Sequence, residues 1–250
     1  MSQGRPLVNN LSNIDLNIIS VEHYLNHGVY GTLRLKHLIQ NKYGIIFNHK
    51  KIRRYKTIFN LITVTRKKRP LFFRTQKERS HSYMASNLLK NNFTSNQPFE
   101  KLSTDVSYIK CTDGLLYLSV VKDLFNNQII SYSISNKNDV DLIMQTLNNL
   151  PQSNGIMHSD QGSLYYARSY ITKLEKLGYV RSMSRKGCCW ENSPVENWFS
   201  QLKEEHLRRI GKKSKKETKL EIKKYVQCCT TERIQKDLGY LSPINFLNNI

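Results

Sequence analysis

Three strand-like runs joined by tight-turn dipeptides, followed by alternating helical and strand-like segments, leave the second part of this chain few folds to adopt. Residues 102–110, 114–124 and 128–133 are rich in β-branched and aromatic side chains. Asp113-Gly114 and Asn126-Asn127 between them are hairpin signals. A helical pattern follows at 139–150, with Val140, Ile143, Met144 and Leu147 on one side. A short buried strand is expected at 155–158, a helix at 170–177, a strand at 179–183 and a long helix from Ser193. Such an order gives an α/β fold, a mixed sheet with helices on its faces.

The first part reads differently. Residues 15–26 carry apolar side chains at helical spacing. A short helix is predicted from Gly31 with Leu35, Leu38 and Ile39 on one face, broken at Gly44. Asn48 is placed to cap a second helix running to about Phe59, with Ile52, Tyr55 and Phe59 inward. Lys50, Lys51, Arg53, Arg54 and Lys56 would then face outward. A basic helix behind a short helix and turn is the pattern of a major-groove reader, a helix-turn-helix-like arrangement. Four segments are expected: a helical, basic DNA-binding region at 1–63, a basic and polar linker at 64–98, an α/β core at 99–210 and a helical extension at 211–250.

Charge supports a polyanionic partner. The chain of 250 residues has 39 Lys and Arg against 19 Asp and Glu, a net charge of +20. No acid occurs between Glu22 and Glu78, so the basic side chains there have no local partners. Phosphate neutralisation is the usual use of such a field. No stretch approaches the roughly 20 apolar residues of a membrane span. Nor does the N-terminus carry the apolar core of a secretion signal. Five cysteines, an odd number without a Cys-x-x-Cys, fit free thiols in a reducing cytoplasm.

Three acids stand out. Asp105 sits within a strand of otherwise apolar alternation, where a buried charge needs a partner or a metal. Asp160 follows the short strand in His158-Ser159-Asp160-Gln161-Gly162, and sites gather at strand ends. Glu196 lies in the first turn of the helix begun by Ser193-Pro194. Each has a structural explanation: an edge-strand hydrogen bond for Asp105, turn chemistry for Asp160, and for Glu196 a capping box with Ser193. Taken together they are hard oxygen donors from separate elements, suited to Mg²⁺ or Mn²⁺. Two such ions, one at the attacking and one at the leaving oxygen, serve phosphodiester chemistry.

Between Asp160 and Glu196 lie 35 residues, the D,D(35)E spacing of DNA transposases and retroviral integrases. From about residue 30 to 246 the chain resembles the second-frame (OrfB-type) transposases of the insertion-sequence-three family. The resemblance is carried by Tyr30-Gly31, by residues 48–54 (NHKKIRR), by 104–109 (TDVSYI), by 158–162 (HSDQG), by 191–199 (ENSPVENWF) and by 238–243 (LGYLSP). It implies an RNase H-like fold for 99–210, metal-dependent cleavage at insertion-element ends, strand transfer by the exposed 3′-OH, and thus DNA transposition, integration and recombination. It implies Asp105, Asp160 and Glu196 as catalytic metal ligands for two Mg²⁺ or Mn²⁺ ions. It further implies a homo-oligomer on DNA, a circular DNA intermediate, and work with the upstream-frame product or as a fusion with it.

Lys203, seven residues past Glu196 on the same helical face, and Arg185, Lys186 and Trp190 in the preceding loop are further candidates for DNA contact. The pattern departs from the family at Cys188, where Asn is usual, and at Cys229-Thr230, where Tyr-Asn is usual. The alternative from another class is a non-catalytic DNA-binding regulator or an inactive remnant, which has no need of three spaced acids.

Overall fold

The computed structural model describes residues 13–64 and 84–250. The expected linker's basic run at 66–77 and the N-terminal ten residues fall outside them. The chain divides into two compact units. The first is helical and takes in the N-terminal part together with Ile234–Leu241. The second holds the sheet, residues up to Arg233, and Ser242–Ile250.

In the helical unit, α1 (Asn13–Leu25), α2 (Thr32–Tyr43) and α3 (His49–Ile58) enclose Ile19, Leu35, Ile39, Ile52 and Tyr55, none of them exposed. Gly44 ends α2 in the left-handed conformation (φ 68°), as its freedom from a Cβ allows. The Asn48 side chain caps α3 by accepting the Lys50 N–H at 2.9 Å. Two expectations for α3 are corrected. Lys56 is buried, because it lies one turn from Ile52 on the inward face. Its ammonium donates to the Tyr30 carbonyl (3.2 Å) and the Thr63 hydroxyl, and burial holds its pKa below the usual lysine value. Phe59 is 39% exposed, because the helix ends one residue before it and it no longer follows the inward stripe. The 234–241 segment joins this unit through Ile234 in the core and Tyr240 stacked on His37, with ring centroids 3.7 Å apart.

The second unit is a five-stranded sheet of order β3-β2-β1-β4-β5. The first three strands form an antiparallel meander: β1 (Lys101–Cys111), β2 (Gly114–Asp123) and β3 (Ile129–Ser135). Beyond them β4 (Ile156–Ser159) and β5 (Val180–Met183) add in parallel to β1. The mixed α/β fold expected from the element order is present. One face carries α4 (Val140–Leu147) and α5 (Arg168–Lys176), whose buried Leu174 joins Leu102, Val121 and Met157 of the sheet in one core. The other carries α6 (Ser193–Gln201) and α8 (Lys215–Thr231) over Ile109, Leu116, Leu118 and Val120. Between them α6 continues through a π-helical turn (Leu202–Leu207) into the short α7 (Arg208–Ile210). A final helix, α9 (Pro243–Leu247), lies in the same unit. Val195, Trp198, Phe199 and Leu202 form the buried stripe of α6, at most 4% exposed, as their helical spacing predicts.

Gly155 is fixed by close approach. A Cβ there would stand 1.9 Å from the Phe99 carbonyl oxygen, so only glycine lets the chain enter β4 beside β1.

Candidate active site

Side chains two apart on a strand share a face. The parallel register pairs Ser103 of β1 with His158 of β4, and His158 with Ser182 of β5. All three are buried, at most 1% exposed, and form a polar row under the α6 side of the sheet. His158 Nδ1 is hydrogen-bonded to the Ser182 hydroxyl at 2.8 Å, and that hydroxyl also accepts the Leu88 N–H at 2.9 Å. Burial holds the His158 imidazole below its ordinary pKa, against an opposing pull from Glu191. Asp105 lies two residues beyond Ser103, and Asp160 two beyond His158. Asp160 stands just past the end of β4, near enough to Asp105 for its charge to act on that carboxyl.

The third acid is brought in by α6. The Ser103 hydroxyl donates to Asn192 Oδ1 at 2.6 Å, and Asn192 Nδ2 donates to the Thr104 carbonyl at 3.2 Å. Further along the same face of β1, Lys203 donates to the Ser107 hydroxyl at 2.6 Å and stands 5.0 Å from the Tyr108 ring centroid. The helix is thus pinned to β1 at both ends and runs alongside it. Glu196 lies about 6 Å along the helix from Asn192. Asp105 lies about 6.6 Å along the strand from Ser103. Both acids are therefore at one level.

Ser193 is the first helical residue, and Asn192, at the cap position, makes no side-chain cap hydrogen bond because its amide is committed to β1. The capping box that would have given Glu196 a purely structural role does not form.

Electrostatics register the convergence. Burial, then Asp160, then Glu196 push the Asp105 carboxyl up to about 8, against its hydrogen bond from Val106 and the nearby Lys203 charge. Burial raises Asp160 above the usual carboxylate range, and burial followed by Asp160 raises Glu196. Tyr165 is fully buried beside the group, its hydroxyl raised by burial and by Asp105 and Asp160.

Asp105 accepts the Val106 N–H at 2.7 Å and Asp160 the Gly162 N–H at 2.8 Å. Turned this way, the acids do not close into a cage: among the described residues no three His, Cys, Asp or Glu side chains stand together as a ready metal site. Gly162 matters here, since a Cβ would come within 2.9 Å of the Asp160 carboxylate.

The other expected residues divide. Lys50, Arg53 and Arg54 lie on the exposed face of α3. Lys51 is only part-exposed; it pairs with Asp15 of α1 and lies 4.9 Å from the Phe47 ring centroid. Arg185 is exposed yet clasps buried Glu191, which accepts its backbone N–H at 2.6 Å and its Nε at 2.8 Å. Against burial, these Arg185 contacts hold Glu191 below its ordinary pKa. Lys186 and Trp190 are exposed in the same loop. Cys229 is buried in the α8 core, its thiol pushed up to about 12 mainly by burial, and Thr230 bonds back to the Val226 carbonyl. The departure at Cys229-Thr230 is therefore a matter of helix packing. All five cysteines are free thiols.

Comparison with known proteins gives the family. Residues 95–189 match the Integrase core domain family and residues 12–69 the HTH-like domain family. The putative transposase InsK of insertion sequence element IS150 from Escherichia coli is 34% identical, over 92% of this chain and 81% of its own length. The transposase InsF of insertion sequence IS3A from the same species is 32% identical, over 68% of this chain and 62% of its own. The chain belongs to the insertion-sequence-three transposase family. Its function class is therefore DNA transposition and integration, polynucleotidyl transfer is the family's activity, and no finding favours a non-catalytic regulator or remnant. A chain of the simian T-cell lymphotropic virus intasome, 13% identical, shares the fold of this family member with a TM-score of 0.51, over 91% of this chain and 73% of that one. Among the described residues no helix is long and apolar enough to cross a membrane.

Proposed function

We propose that Asp105, Asp160 and Glu196 hold two divalent ions, Mg²⁺ or Mn²⁺, and that the chain cuts at insertion-element ends and joins the freed 3′-OH to a second DNA. The observation that supports this reading is the double tie of α6 to β1, with Glu196 between the two ties, together with the Asp160 and Glu196 charges that act on the Asp105 carboxyl. The donor set fits the group. Three hard carboxylates come from three elements; burial raises the proton affinity of each, and the charges of neighbouring acids add to it at Asp105 and Glu196, a cost that a divalent cation would offset. When bound, such ions activate the attacking oxygen and stabilise the leaving oxygen. The protein's own groups supply position: Asn192 and Lys203 fix α6, and Gly162 leaves room for Asp160.

DNA phosphates are met by Lys50, Arg53 and Arg54 on α3 and by Lys186 beside the site. Lys51, Arg185 and Lys203 act chiefly through their internal partners, holding α3, the 185–191 loop and α6. The working form is a homo-oligomer assembled on DNA with the upstream-frame product, or fused to it, acting in the cytoplasm on the nucleoid. The test is strand transfer with preprocessed element-end DNA and Mg²⁺ or Mn²⁺, comparing the wild type with Glu196→Gln, the upstream frame being fused where the chain alone is inactive. Activity is expected in the wild type only. Near wild-type transfer by Glu196→Gln would remove that residue from the site.

A further inference from the structure

We propose that the groove between α8 and the edge strand β3 is a second DNA contact of the catalytic unit, seating the sugar-phosphate backbone of a duplex apart from the carboxylates. The inference rests on the transposase reading above. The groove encloses about 630 Å³ and is lined by Lys215, Lys216, Lys219 and Lys223 of α8. Its apolar lining includes Tyr132 and Ile134 of β3 and Leu220, which is 55% exposed.

A row of lysines on a surface helix is ordinarily a solvated face laced with acids. Here the acids of α8 are committed elsewhere. Glu217 closes the capping box with Ser214 at the helix start. Glu221 pairs with Lys224 and His206. Among the described residues none of the four groove lysines has an ion-pair partner. The one carboxylate in the lining, Asp113, accepts the Lys215 backbone N–H at 2.8 Å, and a net positive lining remains. The lysines extend over roughly 12 Å of helix. With one strand charge per about 3.4 Å of duplex axis, that length matches a few successive phosphates. Apolar side chains between the cations suit sugar faces, and a concave groove fits a rod better than a flat anionic membrane.

The position is separate from the acids. Cross-strand register runs from Asp105 to Val120 to Tyr132, so the groove opens two strands away, roughly 10 Å to the side, on the same sheet face. Meanwhile α6 packs over β1 and β2, leaving the outer edge to α8.

The test uses the full chain and a mixed-sequence DNA duplex. Lys216, Lys219 and Lys223 are exposed, so Lys→Gln at all three leaves the fold in place. Loss of two to three phosphate contacts lowers the slope of log affinity against log salt by about 2, and weakens binding by roughly tenfold or more near physiological salt. DNA should also protect Lys219 and Lys223 of the wild type from acetylation. An unchanged slope with no protection overturns the groove, while a lowered slope in Arg53→Ala/Arg54→Ala would in that case leave the transposase reading standing. A wild type that binds no duplex at all overturns both. Loss in the triple variant of binding to phosphatidylserine vesicles, with DNA binding intact, assigns the groove to lipid and also refutes the proposal.

Discussion

Replacing Asp105 by Asn should make the catalytic unit more stable and inactive at once. The Asp105 carboxyl titrates near 8 in the folded chain against an ordinary 3.8. Between those values the folded state holds a proton that the unfolded state releases. Stability from this group is therefore complete below about pH 3.8 and is lost progressively as pH rises toward 8. At 1.36 kcal/mol per pH unit the loss has an upper bound of about 6 kcal/mol. Partial exposure of Asp105 and relaxation of its neighbours reduce this to roughly 1–3 kcal/mol. Asparagine keeps the shape and the acceptor for the Val106 N–H but carries no charge at any of these pH values.

Near pH 8 with chelator, Asp105→Asn should then melt roughly 2–10 °C above the wild type, and the gap should close toward pH 4. Both tryptophans, Trp190 and Trp198, belong to the catalytic unit, so tryptophan fluorescence follows its unfolding without interference from the helical unit. Mg²⁺ or Mn²⁺ should raise the melting temperature of the wild type and do so far less in the variant. A variant less stable than the wild type near pH 8, or one with an equal response to divalent cation, refutes the reasoning that these carboxylates repel one another.

Two further substitutions probe how the acids are positioned. Asn192→Ala leaves the buried Ser103 hydroxyl and Thr104 carbonyl without their partner, a loss of about 1–3 kcal/mol, and frees the start of α6. Strand transfer should fall at least about tenfold while affinity for DNA in a gel-shift assay changes only a few-fold; equal losses in both would make Asn192 a fold residue alone. Gly162→Ala forces the Asp160 carboxylate to turn aside, so a higher Mn²⁺ concentration for half-maximal activity is expected with an unchanged circular dichroism spectrum. Wild-type Mn²⁺ dependence would contradict the role given to that glycine.

What could be read from the sequence was whatever obeyed local periodicity or fixed spacing. The α6 stripe, the meander and the Gly44 stop follow from patterns a few residues long, and each appears in the structure. Lys56 was not legible, since a lysine one turn from Ile52 looks outward until Tyr30 and Thr63 supply partners that only tertiary structure brings. Nor could Asp15 and Glu22 be seen as counterions for α3 and for Lys42, because they lie across the helical unit. Ser193-x-x-Glu196 was misleading for the same reason. The competing bonds from Asn192 reach residues 88 and 89 positions away. Asn192, Gly162 and Glu191 left no recognisable signal of their own, although the first and last sit inside the quoted 191–199 motif and Gly162 inside 158–162.

The placement of those polar residues answers a problem that apolar packing leaves open. Val195, Trp198, Phe199 and Leu202 bind α6 to the sheet, but hydrophobic contact is non-directional and would tolerate axial shifts of the helix. Carboxylates that are to share cations need their relative position fixed much more closely than one helical turn of about 5.4 Å. Directional hydrogen bonds at the two ends, Asn192 on Ser103 and Thr104, and Lys203 on Ser107, supply that restraint. They also bracket Asp105, where mutual repulsion of the acids would otherwise favour moving α6 away. The buried polar row beneath the site is thus best understood as the means by which a destabilising cluster of like charges is held in register.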